Sequence, residues 1–390
     1  MGHPLLWSAS GVIVALLASL LAAADPPGVE FISDVKPIFD LVACQATPAG
    51  LDAKTAEAWC KKQKRRYDSF STRWGPKANA FLSPLKPAGL PTTLVYPFGG
   101  GDLMSALQIF PEAQEVTTIS LELAGDPRRW KQLTDKAELK RSLKVVSEAS
   151  ESTLINNDSV SEKMSVAQRG ELPGQLSMHL MGLALAGQEP VSVRFFRLEA
   201  DGSLHYLSQE DIDALEETTA KKLHKEWKSP DFSPAFANVE VQFVPRGKPE
   251  APRRIHRHFA ANLANKKVPP GLIAHLEAKG RVTTMTKAAS YLLWDGGFSK
   301  LRNWLLANSA FMVSDSTGMP PSLWKENGCT VDAYGKFEKP FLVESEADPV
   351  ADEMRALWAT AKKVPMRFGY ADGTEKKNDH LMIAKCPSRP

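Results

Sequence analysis

Three short clusters and one histidine pair carry the residue types that could do chemistry. The first is Tyr96-Pro97-Phe98-Gly99-Gly100-Gly101-Asp102, which closes a β-rich run from Thr92. Glycine after a strand lets the backbone turn sharply and approach a ligand. The N–H groups at the next helix start can then hold an anion or a ribose-phosphate. Glu122 ends the following strand, Val116 to Leu123, where nucleotide-binding folds place a carboxylate for ribose hydroxyls. Gly99, Gly100, Gly101, Asp102 and Glu122 are therefore candidate ligand-binding residues. The alternative is a tight turn in which Asp102 only caps the helix.

The second cluster is Thr286-Lys287-Ala288-Ala289-Ser290-Tyr291. On a helix, Lys287, Ser290 and Tyr291 share one face, and a lysine there could act as base for a neighbouring hydroxyl. The order is opposite to the S-x-x-K of penicillin-recognising enzymes, and no K-T-G follows Thr284 and Lys287. The third is Ser314-Asp315-Ser316-Thr317-Gly318-Met319-Pro320, a polar turn after a short apolar strand, the position at which α/β proteins put ligands. It is not the D-[ST]-G of an aspartic protease, which needs two carboxylates. Lys287, Ser290 and Asp315 are the catalytic candidates, and Ser314, Ser316 and Thr317 are further ligand-binding candidates. Last, Arg254, His256 and His258 fall on one strand face, where H-x-H can give two metal ligands. The sequence identifies no third ligand, so no metal is expected, and a surface or partly buried strand is the alternative. G-x-S-x-G, Walker, H-E-x-x-H and EF-hand patterns are absent from the sequence.

These residues must be placed by a folded scaffold, and the composition supplies one. The chain has 390 residues, 43% hydrophobic and 24% charged, ordinary values for a globular protein. Its net charge of +3 comes from 48 basic and 45 acidic residues, too even for a nucleic-acid footprint. Residues 1–24 read as a signal peptide: an apolar run from Leu5 to Leu21 ends at Ala22-Ala23-Ala24 before Asp25-Pro26-Pro27. The run lacks a flanking Lys or Arg, so an uncleaved anchor helix is the alternative. The expected location is secreted or periplasmic. The four cysteines, Cys44, Cys60, Cys329 and Cys386, then favour disulfides. Proximity favours Cys44–Cys60 and Cys329–Cys386 among three possible pairings. No C-x-x-C-H follows the Phe31 to Ile38 lead-in, which excludes c-type haem.

The pattern of elements is mixed α/β. A helical extension spans 25–90, with a basic run, Lys61 to Arg66, that reads as a solvated helix face. From 91 to 390 strand, glycine turn, helix and strand open an α/β domain with a parallel βαβ unit, the outline of a Rossmann or methyltransferase-like fold. That outline fits an S-adenosylmethionine-dependent methyltransferase or a dinucleotide enzyme. However, Gly99-Gly100-Gly101 is not G-x-G-x-x-G, and such cofactors belong to the cytosol, so no cofactor is expected. Asp126-Pro127 starts a helix, residues 147–165 read as a surface loop holding the sequon Asn157-Asp158-Ser159, and Leu172 to Ala186 is an apolar helix. A hairpin turns at Asp201-Gly202, and Ser208 with Asp211 caps the helix after it. Lys287 to Leu305 reads as helix broken at Asp295-Gly296-Gly297. Pro365 to Tyr370 and His380 to Ala384 form a closing hairpin around Asp372-Gly373.

The motifs resemble those of a set of exported bacterial proteins that show Y-P-F-x-G-x-D-x-L, K-S-A-S-Y-L, D-S-G-I-P and F-G-x-G-Y. The matching residues are Tyr96 to Leu103, Lys287 to Leu292, Asp315 to Pro320 and Phe368 to Tyr370. Ala288 replaces a Ser, Thr317 is inserted, and Phe368-Gly369-Tyr370 lacks the spacer. The resemblance implies one architecture from about residue 90 onward and brings no activity with it. Three functions remain open: a ligand-binding or enzymatic protein, whose site lies where the 99–102, 287–291 and 314–318 segments meet; a non-catalytic module for a protein or envelope component; and a methyltransferase-like fold with or without its cofactor. The expected partner is an unknown small molecule or an envelope or extracellular component, with no nucleic acid and no membrane after signal cleavage.

Overall fold

The computed structural model describes residues 28–47, 51–132, 136–155, 174–222, 233–287, 289–315, 319–336, 349–368 and 380–387. The expected signal peptide, the sequon, Ser316, Thr317 and Asp372-Gly373 lie outside them.

Apolar residues repeating at helical spacing build the first layer. Helix α1 (Ile32–Val42) buries Val35, Ile38, Phe39 and Val42, and α2 (Ala53–Ser69) buries Ala56, Trp59, Gln63 and Arg66. Asp52 caps α2 by accepting from the Thr55 N–H at 3.0 Å. The Cys44–Cys60 disulfide joins the end of α1 to α2. A single wide turn, Phe70–Trp74, leads into α3 (Gly75–Leu82). In the basic run, Arg66 is buried and donates to the Ser147 hydroxyl at 2.9 Å, so that face is only partly solvated.

Among the described residues the second layer is a ten-stranded mixed sheet. Strand β1 (Thr93–Pro97) leads through α4 (Leu103–Ile109) to β2 (Glu115–Ser120), and the two strands pair in parallel, as the βαβ pattern requires. A long excursion follows: α5 (Lys136–Ile155), α6 (Gly174–Leu185), the hairpin β3 (Gln188–Leu198) and β4 (Leu204–Tyr206), α7 (Gln209–Lys222) and β5 (Asn238–Pro245). The chain returns as β6 (Arg254–Ala260), parallel to β2. Helix α8 (Pro270–Ala278) crosses to β7 (Val282–Met285) on the other side of β1, and α9 (Ser299–Asn308) leads to β8 (Ser309–Ser314). Then come α10 (Pro321–Glu326), β9 (Thr330–Gly335), α11 (Pro349–Ala359) and β10 (His380–Lys385).

The strand order is β4-β3-β5-β6-β2-β1-β7-β8-β10-β9. Its centre, β6-β2-β1-β7-β8, is parallel, and it reverses its winding between β1 and β7. Alternate residues therefore enter two cores. Leu94 and Tyr96 pack with α1, α4 and α6, while Val95, Ile119 and Phe259 pack with α8, α9 and α11. The helices of the N-terminal region share the first core with the sheet.

Four local expectations differ from the structure. Asp126-Pro127 opens a 3₁₀ segment, Pro127–Gln132, because the Asp126 carboxylate folds onto the Arg128 N–H at 2.9 Å. The expected loop after 147 is helix α5 as far as Ile155. Leu139, Leu143 and Val146 form its buried stripe, with Ser142 and Ser147 buried beside it. Lys287 to Trp294 is not an α-helix: Ala289 takes a left-handed φ of 55°, and a 3₁₀ turn, Ser290–Trp294, follows. Finally, β10 pairs with β8 on one edge and β9 on the other, and of its expected partner strand the described Phe368 accepts from the His380 N–H. A buried position between two strands satisfies the β10 backbone on both edges, which a terminal hairpin cannot do.

Candidate functional site

Strand direction and the change of winding put three sequence-distant segments at one edge of the sheet. The carboxyl ends of β1, β7 and β8 carry Phe98 to Asp102, Thr286 to Ser290 and Ser314-Asp315. In open α/β sheets the crevice at such a reversal is where ligands bind.

The turn after β1 is demanding. Phe98 has φ 61° and Gly100 φ 47°, and a Cβ on Gly99 would lie 2.6 Å from the Tyr96 ring. The Gly99 N–H reaches the Tyr96 carbonyl at 3.2 Å and the Asp102 N–H the Gly99 carbonyl at 2.9 Å. These two donors are spent inside the turn. Asp102 caps α4, accepting from the Ser105 N–H at 3.3 Å.

Lys287 reaches across from the end of β7. Its ammonium donates to Asp102 Oδ2 at 2.8 Å and to Ser105 Oγ at 2.9 Å, and the Tyr96 hydroxyl donates to the same carboxylate oxygen at 3.1 Å. Lys287 is 1% exposed and Asp102 fully buried. Burial, and then the Asp102 charge, raise the Tyr96 phenol well above its ordinary range. Next to it the Ser290 hydroxyl donates to Asp315, and the Thr286 hydroxyl donates to Ser314 Oγ at 2.9 Å. Asp315 also adds to the field on Tyr96. The structure thus brings Asp102, Lys287, Ser290, Ser314 and Asp315 together. Lys287 and Ser290 meet different carboxylates instead of each other. Both Asp102 oxygens accept hydrogen bonds and the set is buried, so its present chemistry is to lock the β1, β7 and β8 loops together.

Glu122 is different. It lies just beyond β2, 5% exposed, and neither carboxylate oxygen has a hydrogen-bond partner. Oε2 is 3.9 Å from the place a Cβ on Gly100 would take, so the glycine turn and the carboxylate border one another.

Below that turn lies a cluster that the sequence reveals only in part. His256 and His258 face inward from β6 and meet His179 of α6, with ring centroids 4.3 Å and 5.0 Å from the His179 ring. All three are buried, which corrects the expected surface or partly buried strand. The Thr118 hydroxyl bridges His256 Nε2 at 3.0 Å and His258 Nδ1 at 3.1 Å. His258 Nε2 meets the Glu122 carbonyl at 2.8 Å, and His179 Nε2 meets the Gly100 carbonyl at 3.1 Å. Burial holds all three imidazoles below their ordinary range and therefore neutral at pH 7. No local pattern marks His179, a single histidine in a mostly apolar helix. Among the described residues, no group of three His, Cys, Asp or Glu side chains is arranged to hold a metal ion.

Comparison of the chain with protein-family models, with curated proteins and with solved structures gives no match in any of the three.

Proposed function

We propose that this is an exported α/β protein that holds a small ligand at the carboxyl edge of β1 and β2, with Glu122 as the gripping residue. The observation that carries the reading is the buried Glu122 carboxylate beside Gly100, with both oxygens unpartnered. Buried carboxylates are normally paired, and one left open faces something that supplies donors. Export is supported by the disulfides, Cys44–Cys60 and Cys329–Cys386, which use all four cysteines of the chain. The Asp102–Lys287 pair is the support beneath the site, not its reacting group.

A second reading is a methyltransferase-like protein. It draws on the order β6-β2-β1-β7-β8-β10-β9, in which only β10 is reversed, and on Glu122 as a carboxylate for ribose hydroxyls. It is a fold-level analogy. A pyrophosphate cofactor fits less well, because Asp102 occupies the α4 start and puts a carboxylate where the phosphates would sit.

The test is thermal shift of the mature protein and its Glu122→Gln variant against adenosylmethionine, NAD and a library of small hydroxylated and amino metabolites. A compound that stabilises the wild type and not Glu122→Gln supports the reading. Stabilisation by adenosylmethionine favours the second reading. A library without a Glu122-dependent hit overturns both.

A further inference from the structure

The wide turn at Phe70–Trp74 does not interrupt the rod that begins with α2. Phe70, Trp74 and Gly75 keep right-handed helical backbone angles, and the Gly75 N–H bonds back to the Phe70 carbonyl five residues earlier. Helix α2, the turn and α3 therefore form one helix over residues 53–82, about 45 Å long at 1.5 Å per residue. Its buried residues Gln63, Arg66, Phe70, Gly75, Ala78 and Leu82 follow at spacings of three, four, five, three and four. The five falls on the wide turn, whose extra residue keeps the buried stripe on one line. The outward side is held in register by the same device.

That outward side is basic. Lys54, Lys61, Lys64, Arg65, Arg73 and Lys77 are all exposed, and among the described residues none of the six takes part in an ion pair or a side-chain hydrogen bond. Glu57 and Asp68 are exposed with them. Residues 53–82 hold eight Lys or Arg against these two acids, a net +6, in a chain whose total is +3, so the remaining sequence is −3. Positive charge is thus concentrated on one rod, and such a concentration makes a local field that attracts and holds polyanions. Among the described residues the exposed large apolar side chain is Leu121, beyond β2 and not on the rod. Stable attachment to a bilayer takes an apolar anchor in addition to a basic patch.

We propose that the outward side of this helix binds a linear anionic polysaccharide, a chain of carboxylate- or sulfate-bearing sugars laid along the rod. The cations recur along its axis. Lys61 to Arg65 and Arg73 to Lys77 are each one turn apart, about 6 Å, and about 12 Å separates the two pairs. A chain of repeating fixed charges meets them in succession, whereas a single small anion meets one or two at a time. Each exposed ion pair contributes little, so binding is a sum over several contacts and weakens as salt rises. A charged rod without an apolar anchor suits a hydrated polymer better than a lipid surface. The choice of a glycan over nucleic acid rests on the export reading above, since an exported protein meets envelope and extracellular sugars. The basic rod itself is independent of Glu122.

The experiment measures binding of the full mature protein to labelled polygalacturonate, heparin, uncharged dextran, short single-stranded DNA and phosphatidylglycerol-containing vesicles, at low and at physiological salt. Three variants accompany the wild type. The first combines Lys61→Gln, Arg65→Gln and Lys77→Gln on the rod. The second combines Lys248→Gln, Lys266→Gln and Lys267→Gln, exposed lysines outside it. The third combines Lys61→Arg, Arg65→Lys and Lys77→Arg, which keeps every charge. Both anionic glycans should bind the wild type, more weakly as salt rises, and dextran should not. The rod variant should lose roughly tenfold in affinity and the second variant less than about twofold. The charge-keeping variant should bind as the wild type does, and with unchanged thermal midpoints this separates lost charge from lost fold. No binding of either glycan, an equal loss in the first two variants, or tighter binding to DNA or to vesicles than to both glycans would each overturn the proposal. None of these outcomes bears on the Glu122 site.

Discussion

The Lys287 ammonium sits 2.8 Å from the Asp102 carboxylate, bridging the end of β7 to the turn after β1, and both groups are out of water. Those two loops leave the sheet where its winding reverses, so the pair ties the two halves of the parallel sheet together. A buried pair gains little over apolar neighbours but is costly to break on one side. Lys287→Met alone should cost about 3–5 kcal/mol, because it strands Asp102. Lys287→Met combined with Asp102→Leu should recover much of the loss. Urea unfolding of the single and double variants measures this; additive losses would show that the two groups are not coupled.

The buried imidazoles make stability depend on pH with a definite sign. His179, His256 and His258 titrate below their ordinary value near 6.5 in the folded protein, so the unfolded chain binds protons that the native chain refuses. Their contribution is fully present above about pH 6.5 and falls as pH drops below it, by roughly 1.4 kcal/mol per pH unit for each proton. His275, held down to about 4 by burial and then Lys279, adds to the same trend. Urea midpoints between pH 7.5 and pH 5 should fall steeply. A flat profile would mean that the rings are exposed, and a rise toward pH 5 that they are charged in the fold.

The disulfides should act unequally. Cys329–Cys386 closes 57 residues and Cys44–Cys60 only 16. Chain-entropy arguments assign about 4 kcal/mol to the first and about 3 kcal/mol to the second. Peptide mapping without reductant should recover these two pairs, and paired Cys→Ala variants should show the larger loss for 329 and 386. Any cross-pairing would contradict the fold at both ends of the chain.

Gly99 is expected to tolerate no side chain. A Cβ there meets the Tyr96 ring and carbonyl at under 3 Å, and Tyr96 is locked by Asp102. Gly99→Ala should lower the thermal midpoint more than Gly100→Ala, whose Cβ finds open space to 3.9 Å. The reverse ranking would show that the turn is built differently.

Much of this architecture was legible in the residues. The β1 and β2 runs with a glycine turn between them announce a parallel unit, and Ser208 with Asp211 forms the reciprocal cap its spacing suggests. Proximity in sequence was enough for the cysteine pairs. What stayed hidden depends on contacts between distant segments. Nothing local reveals that Lys287 leaves an extended segment to find Asp102, because the helical spacing of Lys287 and Ser290 pointed elsewhere. His179 was invisible for a similar reason: a single histidine in an apolar helix gains meaning only when β6 brings His256 and His258 against it. The β10 position escaped because a strand next to a turn signal reads as a hairpin, whereas pairing on both edges is a property of the whole sheet.

If Glu122 engages a small molecule beside Gly100, that molecule must leave with the carboxylate. Native mass spectrometry of wild-type protein and Glu122→Gln, purified gently from the same source, tests it whatever the identity of the compound. A small-molecule adduct is expected on the wild type and missing from Glu122→Gln. The same adduct on both proteins, or none on either, would contradict it.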